Sequence, residues 1–544
     1  MDDDKSRVLI AGGGSVGMSL AAELAYRGIP SVLVEERVEV NEHPRANAIA
    51  NRTMEYYRRW GFDKNIIGLG ISPDLPNDYQ FVSSLHGRLV YKIALPSHNQ
   101  LMDMVKAEGA NDARFNQSPY LKNIMGQNEL DAALKEHVLG QPGLIDARFG
   151  SALVGFRQDK NGVVAYIKNS VDGDVEEVKA DYMVACDGGR SLVRSTLDID
   201  LEGEAGLGRF VAIHFKAPGL NREFGHANIY FPLNKVDSGF VMNWDGGTTY
   251  TYHYILDEGE QPDDIDPVAR VKAMAGWDVP VEIHSVQPWT AHALVAKSYR
   301  CGRVFLAGDS AHLFTPTGGF GMNTGVSDAI DIAWKLQAMI EGWGGHRLLD
   351  TYHEERHPIG VRNTNISGNY FHILKFIYRF GDVLDEDSPE GDMARDQIRA
   401  ELDSQVKGLI DSSGCLLGYR YEDSSICVQD GSSAPPDHPQ LYWPTTRPGH
   451  RMPHVWVDEG VALYDLFDRD FNLVRTDKTI EVTSFMMAAK EADLPIKLVD
   501  VPTHCAAEVL DNSLILVRPD LMVTWRGNLA PDNPQEIIDR IRGA

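Results

Sequence analysis

A short apolar run, Arg7 to Ala11, leads into Gly12-Gly13-Gly14-Ser15-Val16-Gly17, an apolar helical stretch from Met18 to Arg27, and a second apolar run, Ser31 to Val34, that ends at Glu35. This order constrains the fold more than any other feature of the chain. Glycines between a buried strand and a helix let the backbone turn and approach a pyrophosphate, and the first helical turn aims its N–H groups at the anion. An acid about 20 positions on then accepts from a ribose hydroxyl. Glu36 competes with Glu35 for that contact, and Glu35 is preferred because it directly follows the apolar run.

A second anchor lies between Gly302 and Gly325. A buried strand, Val304 to Ala307, ends at a lone carboxylate, Asp309, and a glycine-rich loop leads to an apolar helix expected to begin near Thr324. Asp309 can accept from the hydroxyls of a sugar alcohol, while Gly318, Gly319 and Gly321 let backbone N–H groups approach a ring edge. Shorter features lie between the anchors. Arg45, in Pro44-Arg45-Ala46-Asn47, can clamp a phosphate; a helix is expected from Asn51 to Trp60; Gln127 opens another helix; and the strand from Ala180 ends at Asp187-Gly188. Taken singly, each of these is an ordinary loop, helix start or turn.

The chain has 544 residues, too many for a single core, and a formal charge of −26 opposes binding to nucleic acid or an anionic membrane. Met1 to Lys5 is acidic and no long uncharged apolar run follows, so neither a signal peptide nor a membrane span is expected, and a cytoplasmic protein is. Its five cysteines, Cys186, Cys301, Cys415, Cys427 and Cys505, are scattered without C-x-x-C spacing, which predicts free thiols and no metal site.

Together, Gly12 to Gly17, Cys186-Asp187-Gly188 and Gly308-Asp309 resemble the three fingerprints of the class A FAD-dependent aromatic hydroxylases, the family of para-hydroxybenzoate hydroxylase and phenol hydroxylase. The resemblance continues through Asp328 to Leu336 and Leu348 to Pro358, and through Thr446 to Trp456 and Val517 to Asp520 it extends to long members such as 2-hydroxybiphenyl 3-monooxygenase. It implies an α/β chain with a Rossmann-like FAD-binding domain (1–75, 118–200 and 285–360) and an inserted antiparallel-sheet substrate domain (76–117 and 201–284). A helical linking region (361–427) and a thioredoxin-like C-terminal domain (428–544) would follow. Because the tail has no C-x-x-C, a structural or dimerising role is expected for it, and with it a homodimer.

By the same resemblance, Gly12, Gly14, Ser15, Val16, Gly17, Glu35 or Glu36, Arg45 and Gln127 would hold the ADP half of FAD. Asp187 and Gly188 would lie at the pyrophosphate and Asp309 at the ribityl chain, and Gly319 and the backbone of Gly321, Met322 and Asn323 at the flavin ring, with Pro316 beside it. The family commonly has Arg after the ribose-binding Glu. Here Glu36 stands there, with Glu39 and Glu42 nearby, an acidic patch that would disfavour an extra 2′-phosphate on a reductant passing there and makes NADH a candidate beside NADPH.

The implied chemistry is NAD(P)H-driven reduction of FAD, formation of a flavin C4a-hydroperoxide from dioxygen, and ortho-hydroxylation of a phenolic substrate. Oxygen insertion into a ketone, or epoxidation, of a polyketide-like aromatic is the alternative, and a flavin-binding protein without turnover a third reading. Asn47 stands where phenol hydroxylases place a substrate-facing acid or histidine; an amide cannot act as a base. Alternating runs between Arg209 and Leu256 predict antiparallel strands for the substrate pocket, with His214, His226, Tyr230, Asn243 and His253 as candidate lining residues. Alternation alone does not choose among them, and His312 is read as structural.

Overall fold

The computed structural model of the protein describes residues 6–108, 117–405, 411–502 and 509–544. The Met1–Lys5 segment, Cys505 and the end of a helix expected over 393–408 lie outside them.

The first sheet is built on the unit that opens the chain. Its strands lie in the order Arg300–Cys301, Val304–Leu306, Val175–Ala185, Ser6–Ala11, Ser31–Glu35 and Ile145–Phe149. All neighbours except the first pair are parallel. Ile10 sits opposite Leu33 on one side and Val184 on the other. Val8, Leu9, Ile10, Leu33, Met183 and Val184 are fully buried, because helices cover the sheet and a strand buried on both faces reads as a continuous apolar run. The hairpin Ser151–Asp159 and Gly162–Asn169 continues the Val175–Ala185 strand antiparallel to it.

Helix Ser15–Tyr26 starts within the glycine motif, three residues before the apolar run suggests, and helix Gly321–Glu341 starts at the last loop glycine rather than near Thr324. The Thr351–Ile377 helix runs through Pro358 and contains most of the segment expected as a separate helix from Tyr370.

A second eight-stranded sheet contains Glu282–Ala296, Leu201–Lys216, Thr249–Ile255, Gly239–Asn243, Ile229–Pro232, Tyr79–Val82 and Leu89–Ile93 in that spatial order, with His312–Leu313 at the first edge. It is antiparallel except where Ile229–Pro232 runs parallel to Tyr79–Val82. Glu282–Ala296 belongs wholly to this sheet, so the boundary expected between residues 284 and 285 falls inside a strand. One face, with Val211, Ile213, Tyr230, Val241, Tyr250 and Tyr252, packs on helix Pro267–Ala275 through Val271, Met274 and Ala275. Phe210 and Phe231 of the other face pack against Phe371 and Leu374 of the Thr351–Ile377 helix.

In the tail, Phe471–Arg475 pairs parallel to Ile496–Asp500 across helix Thr483–Glu491, and Leu514–Val517 and Val523–Gly527 add antiparallel strands before helix Pro534–Ile541. Fully buried arginines fasten the tail to the first domain. Arg451 pairs with Glu55, Arg518 with Glu355 and Asp331, and Arg52 donates to the Asp520 carbonyl at 2.7 Å.

Candidate functional site

The glycine motif makes a cleft at the end of the first sheet. A Cβ on Gly12 would lie 2.3 Å from the Cys186 carbonyl oxygen, and one on Gly17 would lie 1.9 Å from that of Gly12, so these glycines pack strand, turn and helix together. A Cβ on Gly14 would meet nothing within 4 Å: it faces the cleft. The first-turn N–H groups there have no intrahelical acceptor. Glu35, Arg37, Glu39, Asn41, Arg45 and Gln127 line the same cleft. Glu35 accepts from the Gly13 N–H at 2.7 Å and lines the cleft, whereas Glu36 is exposed and outside the lining.

Asp187 accepts from the Val193 N–H at 3.1 Å through one oxygen, while its other oxygen is buried without a partner. Burial raises its pKa, against hydrogen bonds from the Ser191 side chain and nearby N–H groups. Gly188 beside it adopts φ +78°, a left-handed turn. Asp309 is exposed, and desolvation by the protein around it raises its pKa against the charges of His312 and Arg45.

The segment around Asp309 is clamped from behind. Asp328 accepts from the Gly308 N–H at 3.1 Å, pairs with His312 Nε2 at 2.8 Å, and accepts from Arg356 Nε at 2.7 Å. His312 is therefore structural. The glycine loop carries Pro316 exposed, and the helix begins at Gly321 with the N–H groups of Gly321, Met322 and Asn323 free of intrahelical acceptors. The Asn323 side chain is committed to the chain itself: it accepts from the Ala50 N–H and Thr53, and donates to the Ala48 and Gly319 carbonyls.

The second sheet adjoins this segment, since His312–Leu313 pairs with its Glu282–Ala296 strand. Its register aligns Ala212 with His253 and Gln287, and His214 with Thr251 and Ser285. The segment that follows Glu35 meets this face, for Asn41 accepts from Gln287 at 3.3 Å, His43 bonds Ser285 at 2.8 Å, and Asn47 donates to Asn228 at 3.3 Å. His253 stacks on Phe240 with centroids 4.2 Å apart, and its Nδ1 accepts from the Trp289 indole at 3.2 Å. Burial, aided by His43, pushes the His253 pKa down to about 3; burial, His214 and Arg45 push that of His43 down to about 4. His214 directs Nδ1 at the Tyr250 carbonyl at 3.0 Å, and burial lowers its pKa as well. The imidazoles are neutral at ordinary pH.

Two expected pocket residues lie elsewhere. Tyr230 is on the opposite face, where its hydroxyl donates to the Gly225 carbonyl at 2.5 Å. Asn243, at the end of strand Gly239–Asn243, bonds His226 and the Ala227 carbonyl, which also occupies His226. Strand parity separates these residues, since Asn243 aligns with Tyr250 and Met242 with Thr251. The sequence reading passed over His43, Thr251, Trp289 and Asp131. Thr251 shares parity with His253, which was the available signal; the others are brought in by the tertiary fold.

A family model described as FAD binding domain matches residues 5–367, and one described as aromatic-ring hydroxylase, C-terminal, matches residues 445–544. The chain is 33% identical to FAD-dependent monooxygenase apdD of Emericella nidulans, over 98% of this chain and 89% of that one. It is 30% identical to the tetracenomycin B2 monooxygenase-dioxygenase of Streptomyces olivaceus, over 99% and 98%. Among solved structures it is similar to chromopyrrolic acid-soaked RebC with bound 7-carboxy-K252c, with a TM-score of 0.88, 32% identity and 99% of each chain covered.

Proposed function

The chain belongs to the FAD-dependent aromatic hydroxylases, and from that premise we propose that it hydroxylates a phenolic ring, ortho to an existing hydroxyl, on a planar aromatic substrate of several fused rings. The observation that carries this reading is the meeting of two walls. The segment that runs from Asp309 to a free helix N-terminus pairs through His312–Leu313 with a sheet whose imidazole and polar side chains are tied to the glycine cleft and its following loop through Asn41, His43 and Asn47. The names of the tetracenomycin and RebC relatives support a fused-ring substrate.

Bound FAD supplies the electrons taken from NAD(P)H and the activation of dioxygen. The residues present fit it: Gly14 leaves room for a diphosphate at a helix N-terminus, Glu35 and Arg45 would hold the ribose and phosphates, and Asp309 would accept from the ribityl hydroxyls. The N–H groups of Gly321, Met322 and Asn323 would favour negative charge at a ring edge held against them. Asp187, with one oxygen unpartnered, would serve the pyrophosphate end.

On the substrate side, His253 stacks on Phe240 and the Trp289 ring stands edge-on to His253, at 81° between planes. Neutral His214, holding its Nδ1–H on the Tyr250 carbonyl, keeps an Nε2 lone pair as acceptor for a substrate hydroxyl. Asn47 orients the same ring from the opposite side. The wall positions Phe210, Ala212, His214, Phe240, Met242, Thr251, His253, Gln287 and Trp289 include no carboxylate, so the substrate hydroxyl is held by hydrogen bonding rather than by a strong base.

The domain divisions expected from sequence, with the boundary at 284/285 moved past Ala296, are part of this reading. So is a thioredoxin-like tail, supported by its parallel pair across a helix followed by two antiparallel strands and a helix. A cytoplasmic homodimer is likewise inferred, and light scattering on the purified protein tests the subunit count. The functional test is turnover of fused-ring phenols with NADH or NADPH under labelled dioxygen. One labelled atom in a new ring hydroxyl supports the proposal. Label in a lactone or epoxide supports the alternative oxygen insertion instead, and oxidation of NAD(P)H that yields only hydrogen peroxide with every phenol argues against both.

A further inference from the structure

Asp131, on helix Gln127–Leu139, lines the cofactor cleft and is 8% exposed. Its partner is Ser15, the first residue of the helix that follows the glycines: the Ser15 hydroxyl donates to Asp131, and Gln127 Nε2 donates to Ser15 Oγ at 3.0 Å. The one proton of Ser15 is therefore committed to a carboxylate, and cannot be given to a phosphate at the same helix N-terminus.

Among the described residues Asp131 forms no ion pair. Glu35 approaches from the end of its strand, Arg37, Glu39, His43 and Arg45 share the cleft from the following loop, and Tyr57 lies behind on helix Asn51–Arg59. Arg45, which lines the cleft, is the cation that favours the charged form of Asp131.

A diphosphate at this helix start puts negative charge beside a buried, unpaired carboxylate. We propose that Asp131 takes up a proton when FAD binds, so that the carboxyl becomes the donor to Ser15 and the Ser15 hydroxyl turns to donate to the diphosphate. The relay balances: one solvent proton is bound at Asp131, and the Ser15 O–H changes its acceptor. The inference rests on the FAD reading of the cleft.

Burial already raises the Asp131 pKa to about 6, against the hydrogen bonds of Ser15 and Gln127 and the charge of Arg45. Bound diphosphate raises it further. Between the two values the free protein loses the proton that the complex keeps, so affinity falls as pH rises, approaching tenfold per pH unit.

The test is FAD titration of the deflavinated full-length protein by flavin fluorescence from pH 5.5 to 8.5, with calorimetry in two buffers of different ionisation enthalpy. We expect Kd to be flat at the acid end and to rise with a slope approaching one above about pH 6, with uptake approaching one proton per FAD at pH 7.5. Asp131→Asn should flatten the profile. Ser15→Ala, which removes a hydrogen bond that lowers the Asp131 pKa, should move the onset to higher pH. A flat wild-type profile, an unchanged slope in Asp131→Asn, or an unmoved onset in Ser15→Ala overturns the inference while leaving FAD binding intact. Failure to bind FAD at every pH overturns the cofactor reading itself.

Discussion

Arg518 grips Glu355 through two parallel hydrogen bonds, Nη1 to Oε1 at 2.5 Å and Nη2 to Oε2 at 2.8 Å, with both side chains fully buried. Lys335 reaches the same carboxylate at 2.6 Å and Asp331 at 2.7 Å, and Asp520 joins Arg518 at 2.7 Å. Burial alone would raise the Glu355 pKa, but Arg518 and Lys335 together hold it below the ordinary value. This cluster joins the tail to the long helices behind the flavin groove.

Removing one member breaks a buried, doubly hydrogen-bonded charge pair and unbalances the cluster around it. Glu355→Gln or Arg518→Met should each destabilise the protein by about 3–5 kcal/mol, read as a lower urea midpoint. The double variant should cost less than the sum of the two, since each single change already breaks the shared contact. Strictly additive losses would show that the two side chains are not energetically joined.

The glycines of the first motif should divide into two kinds. Gly17→Ala drives a methyl into the Gly12 carbonyl and should lower thermal stability or abolish soluble expression. Gly14→Val meets open cleft and should keep the far-ultraviolet dichroism and melting temperature of the apoprotein while weakening FAD binding at least tenfold. A Gly14→Val protein with unaltered FAD affinity would remove the diphosphate from this position.

Asp309→Ala should weaken FAD retention severely, and Asp328→Asn moderately, because Asp328 holds the Gly308 N–H and His312 on either side of Asp309. Ultrafiltration of the purified enzymes, with free flavin measured in the filtrate, ranks the two. Equal retention in Asp309→Ala and the wild type would contradict the ribityl assignment.

His253 gives the fold an acid-sensitive element. Its folded pKa of about 3 lies below the ordinary 6.5, so the neutral form is favoured in the fold. Between those values the unfolded chain binds a proton that the native state does not, and stability falls as pH is lowered from about 6.5 toward 3. The loss from this group between pH 7 and 4 is on the order of 2–3 kcal/mol. His253→Gln should be less stable at pH 7 but show a shallower fall between pH 6.5 and 4 in urea unfolding series. A fall as steep as in the wild type would assign the acid sensitivity to other groups, such as His454.

Asn47→Ala should retain FAD yet raise substrate KM or the fraction of NAD(P)H oxidation that ends as hydrogen peroxide, since Asn47 bridges the cofactor segment to Asn228 of the sheet. An oxygen-electrode and peroxide assay with a turnover substrate separates the two effects. Unchanged KM and coupling would dismiss Asn47 as a substrate contact.

By itself the sequence determined the opening strand, glycines, helix and acid, the Asp187 and Asp309 elements, and the strands between Arg209 and Leu256, because these depend on local chemistry. Glycine positions, apolar runs and alternation are set by neighbours along the chain. It also restricted the ribose acid to two adjacent residues. Only the tertiary structure set Glu35 in the glycine cleft and left Glu36 outside it, placed Tyr230 and Asn243 behind the sheet while His214 and His253 stay in front, and brought His43 and Trp289 to the sheet and Asp131 to the cleft. Strand register and the packing of Thr351–Ile377 against the sheet fix those relations, and both depend on contacts between residues far apart in the chain. The buried Arg518 and Glu355 are the extreme case. A charged residue in sequence reads as exposed, and only the fold supplies the partner that makes its burial tolerable.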